Sequence, residues 1–261
     1  MDRIKSLFRK LHAQNRCGLI AYVTCGDPDR ETTVRIVEEL ERAGADAIEL
    51  GVPFSDPIAD GPVIQAAAQR ALNNGTSIRD VFDIAKAVRA KSAIPLIAFS
   101  YFNPVMRFGA DPFGDAAKDA GIDSVLLTDL PPEASQHFRA AMHERGLGTI
   151  FLLAPTTRDD RVTAIDRASD GFVYYVSTTG VTGTRRDLDP ALIARLDEIR
   201  SRLRNPIAVG FGVSQPEHYR TLSAHCDAVV VGSAIVRAIA EGDADGAPAR
   251  AGEGVRRILN G

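Results

Sequence analysis

Two carboxylates are placed where proton-transfer chemistry could use them. Glu49 lies inside the apolar run Ala47–Leu50, which is typical of a buried strand, and a carboxylate there loses hydration whichever way it faces. Burial would raise its pKa from about 4.3 toward neutrality, so that one group could both donate and accept a proton. Asp60 follows in a loop that is too long and too apolar for a mere connector, which is typical of functional loops.

Structural explanations for these carboxylates stay open. Glu49 could be a buried carboxylate that is paired with a cation or satisfied by hydrogen bonds. Asp60 precedes Gly61 and Pro62 and could cap the helix predicted from Pro62 to Gln69. Three further acids at strand ends or in loops fit turn or cap chemistry as well as function: Asp27, Asp56 and Asp129.

Three glycine clusters point to a phosphate site. They follow the sixth, seventh and eighth predicted strands: Gly180-Val181-Thr182-Gly183, Gly210-Phe211-Gly212 and Gly232-Ser233. Glycine lets the backbone approach a ligand closely, and a helix that starts at Ser233 would present free N–H groups with a favourable dipole. Each cluster alone could serve a turn or a cap, but their joint occurrence predicts a phosphate cradle.

The elements that must position these residues alternate along the chain. Eight short apolar runs read as strands: Leu19–Val23, Ala47–Leu50, Pro95–Phe99, Ser124–Leu127, Thr149–Leu153, Phe172–Val176, Ile207–Val209 and Ala228–Val231. Helix-period segments separate them, among them Thr32–Ala43, Ile78–Ala90, Pro132–Arg145, Pro190–Leu203 and Gln215–Ser223. This alternation indicates a parallel sheet, and eight units in about 240 residues favour a closed (β/α)8 TIM barrel.

The barrel is expected to form a single domain over residues 1–261. An additional N-terminal helix places Ile4, Leu7, Phe8 and Leu11 on one face, which suits a helix that closes the barrel base, although its basic face also fits an interfacial or targeting helix. The segment Gly242–Gly254 is rich in glycine and alanine. We therefore expect a short final helix and a mobile tail.

Composition excludes several classes of function. Lys plus Arg total 31 against 34 Asp plus Glu, a net charge of −3, which argues against a nucleic-acid partner. Three cysteines and five histidines show no ligand spacing, so neither a disulfide framework nor a metal site is expected. No apolar run approaches the roughly 20 residues of a membrane span, and no signal peptide is evident, which predicts a cytoplasmic protein.

Several motifs together resemble the α subunit of tryptophan synthase. They are the run ELGVPFSDPIADGPVIQ from Glu49 to Gln65, TCGDP at Thr24, YFNP at Tyr101 and GVTG at Gly180. The resemblance implies a lyase that cleaves indole-3-glycerol phosphate to indole and glyceraldehyde 3-phosphate without a cofactor of its own. It also implies a partner β subunit, which carries pyridoxal phosphate and receives the indole, in an α2β2 tetramer.

The same resemblance assigns roles to residues. It makes Glu49 the group for both proton transfers and Asp60 the acceptor for the indole N–H. The remaining implied roles are phosphate binding by Gly183, Gly212, Gly232 and Ser233, an indole pocket of Tyr22, Ile64, Tyr101, Leu126, Tyr174 and Phe211, a lid at Thr182, and contact with the β subunit at Asp56 and Pro57.

Three alternatives share parts of this pattern. A stand-alone lyase would release free indole without a partner, and a silent regulatory subunit would bind phosphate only. A sugar-phosphate isomerase on the same barrel would share the phosphate loops but would not need the run from Glu49 to Asp60.

Overall fold

The computed structural model describes residues 2–176, 190–210 and 212–261. In this part of the chain nine parallel strands form one sheet. They are β1 (Gly18–Thr24), β2 (Ala47–Gly51), β3 (Leu96–Ser100), β4 (Ser124–Leu127), β5 (Gly148–Ile150), β6 (Leu152–Leu153), β7 (Val173–Val176), β8 (Ile207–Gly210) and β9 (Ala228–Val231).

The sheet closes into a barrel through a break at Phe151. The strand order is β5-β4-β3-β2-β1-β9-β8-β7-β6, so β5 and β6 stand at its two ends although only Phe151 separates them along the chain. The Phe151 carbonyl accepts the Tyr174 N–H at 3.1 Å, which carries the pairing across the break. The eight predicted strands are confirmed, with the fifth divided in two, and the fold is the predicted TIM barrel.

Helices surround the sheet. They are α1 (Asp2–Ala13), α2 (Arg30–Arg42), α3 (Pro62–Asn73), α4 (Ile78–Arg89), α5 (Phe102–Phe108), α6 (Ala110–Asp119), α7 (Gln136–Glu144), α8 (Asp159–Ala168), α9 (Pro190–Arg200), α10 (Pro216–Ser223), α11 (Ser233–Ala240) and α12 (Ala247–Asn260). The helix predicted over 132–145 instead begins with a separate 3₁₀ turn, Pro132–Ala134, before α7.

Two apolar layers hold the barrel together. Strands such as β1 are buried along their whole length, because helices cover the outer face of a parallel barrel and side chains fill its interior. The outer layer packs Ile36, Leu40 and Val81 of the helices against Leu19 and Leu50 of the strands. Side chains inside the barrel form the second layer, so the strand ends that carry the site are rigidly held.

The N-terminal helix closes the barrel base as predicted. Ile4, Leu7, Phe8 and Leu11 of α1 are buried and pack with interior residues such as Phe172, whose ring centroid lies 5.4 Å from that of Phe8. An ion pair of 2.9 Å between the Arg3 guanidinium and the Asp123 carboxylate fixes the helix start. The interfacial alternative is therefore wrong for its apolar face, which is covered by the barrel.

The expectation for the C-terminal region was wrong. Residues 247–260 form α12, a helix of 14 residues, with Ala251, Val255 and Ile258 buried. Its small residues allow a close approach to α2: a Cβ added to Gly252 would lie 2.7 Å from Glu39 Cγ. The glycine and alanine content thus reflects tight helix packing and not irregular structure.

Among the described residues, no helix is both long and apolar enough to cross a membrane.

Candidate functional site

A cavity of about 610 Å³ opens where the strands end. Its walls come from the strands β1, β2, β3, β6, β7, β8 and β9, from the loop between β2 and α3, and from the starts of α3 and α11. Ligand sites in these barrels are built at this end of the strands. The lining residues include Tyr22, Glu49, Asp60, Ile64, Phe99, Thr128, Leu152, Tyr174, Val176, Gly212, Ser214, Val230, Gly232, Ser233 and Arg237.

Glu49 is the most deeply placed acid of this cavity. It lies on β2 with 1% of its surface exposed, and neither carboxyl oxygen has a hydrogen-bond partner among the described residues. Burial alone raises its pKa from 4.5 to about 8. The cation-paired alternative finds no support here, and the carboxyl is neutral and able to donate a proton near pH 7.

Asp60 lies in the loop before α3, and its ionisation state differs from that of Glu49. Burial raises its pKa from 3.8 to about 6, and a hydrogen bond from Tyr101 opposes part of that rise. The Tyr101 hydroxyl donates to Asp60 Oδ2 at 3.0 Å. Asp60 is therefore mostly ionised at neutral pH. It does not cap α3, because the cap residue is Gly61, without a side-chain hydrogen bond.

Tyr101 fixes the loop as well as the carboxylate. Its hydroxyl accepts the N–H of Ala59 at 2.9 Å while it donates to Asp60. Its ring stands 5.2 Å from that of Phe54, centroid to centroid. This residue follows β3, so a second strand end holds the carboxylate of the loop in place.

Aromatic side chains form the walls between the acids. Tyr22 packs edge-on against Phe99 with ring centroids 5.3 Å apart. Glycines on the strands leave room for the tyrosines: a Cβ on Gly51 would lie 2.2 Å from the Tyr22 hydroxyl, and one on Gly210 would lie 2.5 Å from that of Tyr174. The tyrosines and Phe99 thus give the cavity aromatic walls, which suit a flat apolar ring.

Two backbone segments that line the cavity are suited to close contact with a ligand. Gly212 has a φ of 65°, a backbone conformation that suits glycine. Gly232 precedes α11, which begins at Ser233, and the first N–H groups of a helix have no partner within it. A phosphate group at this helix start would meet free N–H donors and the positive end of the helix dipole.

Comparison with known proteins agrees with this geometry. The family model for Tryptophan synthase alpha chain matches residues 8–256. The tryptophan synthase alpha chain of Solibacter usitatus is 52% identical over 239 residues, 92% of this chain and 90% of that protein. That of Geotalea uraniireducens is 46% identical over 241 residues, with the same shares covered.

Solved structures show the same relationship. Tryptophan synthase subunit alpha from Legionella pneumophila superposes with a TM-score of 0.91 at 35% identity, over 99% of this chain and 97% of that one. A chain from the tryptophan synthase α2β2 complex of Pyrococcus furiosus superposes with a TM-score of 0.89 at 42% identity, over 93% and 97%.

The chain belongs to the tryptophan synthase alpha chain family. It is therefore an enzyme of tryptophan biosynthesis, a lyase of the class that cleaves indole-3-glycerol phosphate. The cavity brings together most of the residues to which the family resemblance gives a role: Tyr22, Glu49, Asp60, Ile64, Tyr174, Gly212, Gly232 and Ser233. These residues lie on or just after β1, β2, β7, β8 and β9, in the loop before α3, or on the helices α3 and α11.

Other family positions lie elsewhere or outside the described residues. Leu126 is fully buried inside the barrel and is not among the residues that line the cavity. Tyr101 is not among the lining residues either, but its hydroxyl donates a hydrogen bond to Asp60. Asp56 is exposed and Pro57 is half-buried in the loop before α3. Three predicted residues fall outside the described part of the chain: Thr182, Gly183 and Phe211.

The secondary candidates have structural contacts. Asp27 is 3% exposed and forms a bidentate pair with Arg70 at 2.8 and 2.7 Å. Asp129 accepts the N–H of Phe102 at 2.6 Å, at the start of α5. No group of three or more His, Cys, Asp or Glu residues that could hold a metal occurs in the described ranges.

Sequence reasoning missed several lining residues, among them Thr128, Ser214 and Arg237. Ser214 and Thr128 lie just beyond the strands β8 and β4, in loops without a distinctive pattern. Arg237 is a helix residue one turn after Ser233. The sequence did contain a signal for Arg237: it lies four residues after Ser233 of the third glycine cluster, and residues four apart share a helix face.

Proposed function

We propose that this cavity cleaves indole-3-glycerol phosphate with Glu49 as the group that moves both protons. The observation that carries the proposal is a buried carboxyl with a pKa of about 8 and no hydrogen-bond partner among the described residues, in one cavity with a second carboxyl of lower pKa. Two carboxyls whose environments separate their pKa values can take opposite roles in acid–base catalysis.

The proton balance of the reaction fits a single shuttle. Neutral Glu49 protonates C3 of the indole ring, and its carboxylate then accepts the proton of the neighbouring side-chain hydroxyl. The bond between C3 and the hydroxyl-bearing carbon breaks, its electron pair restores the aromatic ring, and an aldehyde forms. Glu49 ends protonated as it began, so no further acid or base is required.

Asp60 is proposed to stabilise the protonated ring. Ionised and held by Tyr101, it accepts a hydrogen bond from the indole N–H, whose positive charge increases when C3 is protonated. A fixed carboxylate in a partly buried site acts strongly on such a charge, because little water screens it. Tyr22, Ile64 and Tyr174 are proposed to surround the ring. The pocket role of Phe211 and the lid role of Thr182 stay proposals for residues outside the described ranges.

The phosphate group is proposed to bind at the start of α11. Gly212, Gly232 and Ser233, together with Gly183 from the loop after β7, would supply backbone donors, and Ser233 a hydroxyl. The proposed phosphate position and the two carboxyls would then share one cavity, which suits a substrate with a ring at one end and a phosphate at the other.

A β subunit is the proposed partner, since the related Pyrococcus furiosus protein is described as an α2β2 complex with mutual activation. The loop between β2 and α3 is a suitable contact: beside Asp56 and Pro57 it carries Ile58, which is 86% exposed. Pyridoxal phosphate is proposed to belong to the partner. The chain is proposed to form one domain over residues 1–261 and to work in the cytoplasm.

Indole release by the purified chain, with Glu49→Gln beside the wild type, tests the reaction. The variant should cleave indole-3-glycerol phosphate at least about 10²-fold more slowly, because an amide cannot shuttle the proton. Its affinity for glycerol 3-phosphate should stay unchanged. Glu144→Gln, which alters an exposed carboxylate outside the cavity, is the matched control. Near-normal turnover by Glu49→Gln would refute the mechanism.

A further inference from the structure

Arg237 is the one cationic side chain that lines the cavity among the described residues. The acidic groups there are the neutral carboxyl of Glu49 and the ionised carboxyl of Asp60, and the remaining lining residues are apolar, glycine or hydroxyl-bearing. A cavity that must admit a phosphate dianion beside two acids gains from a positive charge, because like charges repel strongly where water is limited.

The helix brings Arg237 close to the proposed phosphate position. Ser233 is the first residue of α11 and Arg237 the fifth, so the two side chains lie on the same face one turn apart. Side chains of a helix tilt toward its N-terminus. The arginine therefore extends toward the free N–H groups at the helix start, where one turn amounts to about 5.4 Å.

Arg237 is also available to a ligand. It is exposed, and within the described ranges its guanidinium has no ion pair or hydrogen bond. Arg250, which neighbours it in space, is committed instead: its guanidinium donates to the carbonyls of Ala238, Ile239 and Asp243 at 2.6 to 3.1 Å. Arg250 thus satisfies carbonyl groups at the C-terminal end of α11, whereas the Arg237 guanidinium makes no such contact among the described residues.

A second cavity of about 400 Å³ lies beside the first and shares Ser214, Ala234 and Arg237 with it. Arg257 lines this second cavity only, together with Glu241 and Glu253. Arg237 therefore lies between the two cavities: the larger one, which contains the proposed phosphate cradle, and the second one, which is lined by residues of both charges. Arg257 is a natural control, since it shares the pocket but not the cavity.

We propose that Arg237 binds the phosphate group of the substrate and gives the site its preference for a dianionic phosphate ester. The inference rests on the proposed function for the position of the phosphate at α11. Backbone N–H groups supply only partial charges, whereas a guanidinium supplies a full charge and two parallel donors to phosphate oxygens. Arg237 is a binding residue that never contacts the reacting carbon atoms.

Three variants test it: Arg237→Gln, Arg237→Lys and the control Arg257→Gln. Calorimetric titration with glycerol 3-phosphate measures phosphate binding, and steady-state cleavage of indole-3-glycerol phosphate gives KM and kcat separately. Arg237→Gln should raise both the Kd for glycerol 3-phosphate and KM about ten-fold, the size expected for loss of a charged hydrogen bond, with kcat changed less than about two-fold. Arg237→Lys should recover most of the loss, and Arg257→Gln should match the wild type.

Two results would overturn the inference. One is a Kd for glycerol 3-phosphate that is the same in Arg237→Gln and the wild type. The other is an equal loss in Arg257→Gln, which would reflect net charge alone. A wild-type chain that binds glycerol 3-phosphate through Arg237 but cleaves no indole-3-glycerol phosphate would refute the proposed reaction and support the inference. A wild-type chain that binds no glycerol 3-phosphate would refute the inference, even if the reaction proceeds.

Discussion

Glu49 and Asp60 differ mainly in what surrounds them, because their ordinary pKa values of 4.5 and 3.8 lie close together. Both carboxyls are desolvated, but only Asp60 has a donor, the Tyr101 hydroxyl, that favours its ionised form. The fuller burial of Glu49 and the Tyr101 hydrogen bond to Asp60 together separate a pKa of about 8 at Glu49 from one of about 6 at Asp60. Between these two values the site contains one proton donor and one anion, the pair that the proposed reaction needs.

The pH profile of the reaction should show this separation. We expect kcat/KM for indole release to fall above about pH 8, because ionised Glu49 can no longer protonate indole C3. It should also fall below about pH 6, where Asp60 becomes protonated. The substrate phosphate titrates near pH 6 as well, so the basic limb is the diagnostic one. A rate that stays level up to pH 10, with the fold intact by circular dichroism, would contradict the assignment.

Stability should respond to Glu49→Gln in a pH-dependent way. The folded pKa of about 8 exceeds the unfolded value of 4.5, so the folded wild type holds a proton that the unfolded chain releases. Its free energy of unfolding therefore falls as pH rises between these values, by roughly 1.4 kcal/mol per pH unit. Gln carries no such proton.

Chemical denaturation of both proteins from pH 5 to 9 measures this effect. The variant should gain stability relative to the wild type up to about pH 8, after which the difference should level off. Glu144→Gln, whose carboxylate is 76% exposed, provides the control with a constant difference. A constant difference for Glu49→Gln as well would mean that the carboxyl is not desolvated in solution.

At the scale of elements, the start of α11 offers a test of the phosphate cradle. A Cβ at Gly232 would lie 3.5 Å from Tyr22 Cβ and 3.8 Å from Ile64 Cδ1, ordinary contact distances, so Gly232→Ala should fold normally. We expect it to raise KM about ten-fold with little change in kcat, because the methyl group hinders close approach of a phosphate to the backbone. Gly254→Ala, with open space around its Cβ, is the control. An unchanged KM in Gly232→Ala would argue against the cradle.

The final helix should contribute measurably to stability. Ile258 of α12 is 1% exposed and packs in the outer core. Ile258→Ala should lower the free energy of unfolding by roughly 2–5 kcal/mol, since it removes buried apolar surface and leaves a cavity. Urea denaturation measures the change, with the exposed Asn260→Ala as control. A loss below about 0.5 kcal/mol would show that α12 is not docked in solution.

At the scale of the whole molecule, barrel closure assembles the site. β2, which carries Glu49, is separated by β1 alone from β9, which precedes the phosphate cradle. All strands point the same way, so their ends meet at one opening. Residues from 22 to 237 in the sequence thereby line one cavity.

A partner should change the rate of this assembled site. We expect slow indole release by the chain alone and a strong rise when a tryptophan synthase β subunit is added, because contact at Asp56 and Pro57 would act on the loop that also carries Asp60. Indole release measured with increasing β subunit tests this expectation. Fast release that the β subunit leaves unchanged would indicate a stand-alone lyase.

Local features of the sequence were enough for the elements and for the type of chemistry. Strand and helix periods depend on neighbouring residues, so the eight strands and the barrel-closing helix α1 could be predicted. The carboxylate within an apolar run identified Glu49 in the same way, because burial of the run implies burial of the acid.

Only the tertiary structure decided how these parts act on one another. It showed that the Glu49 carboxyl has no hydrogen-bond partner among the described residues, that Tyr101 holds Asp60 across 41 positions of sequence, and that α12 is a full helix packed on α2. It also placed Arg237 on the cavity wall. A pKa, a docked helix and a shared cavity all depend on contacts between distant parts of the chain, which no local pattern contains.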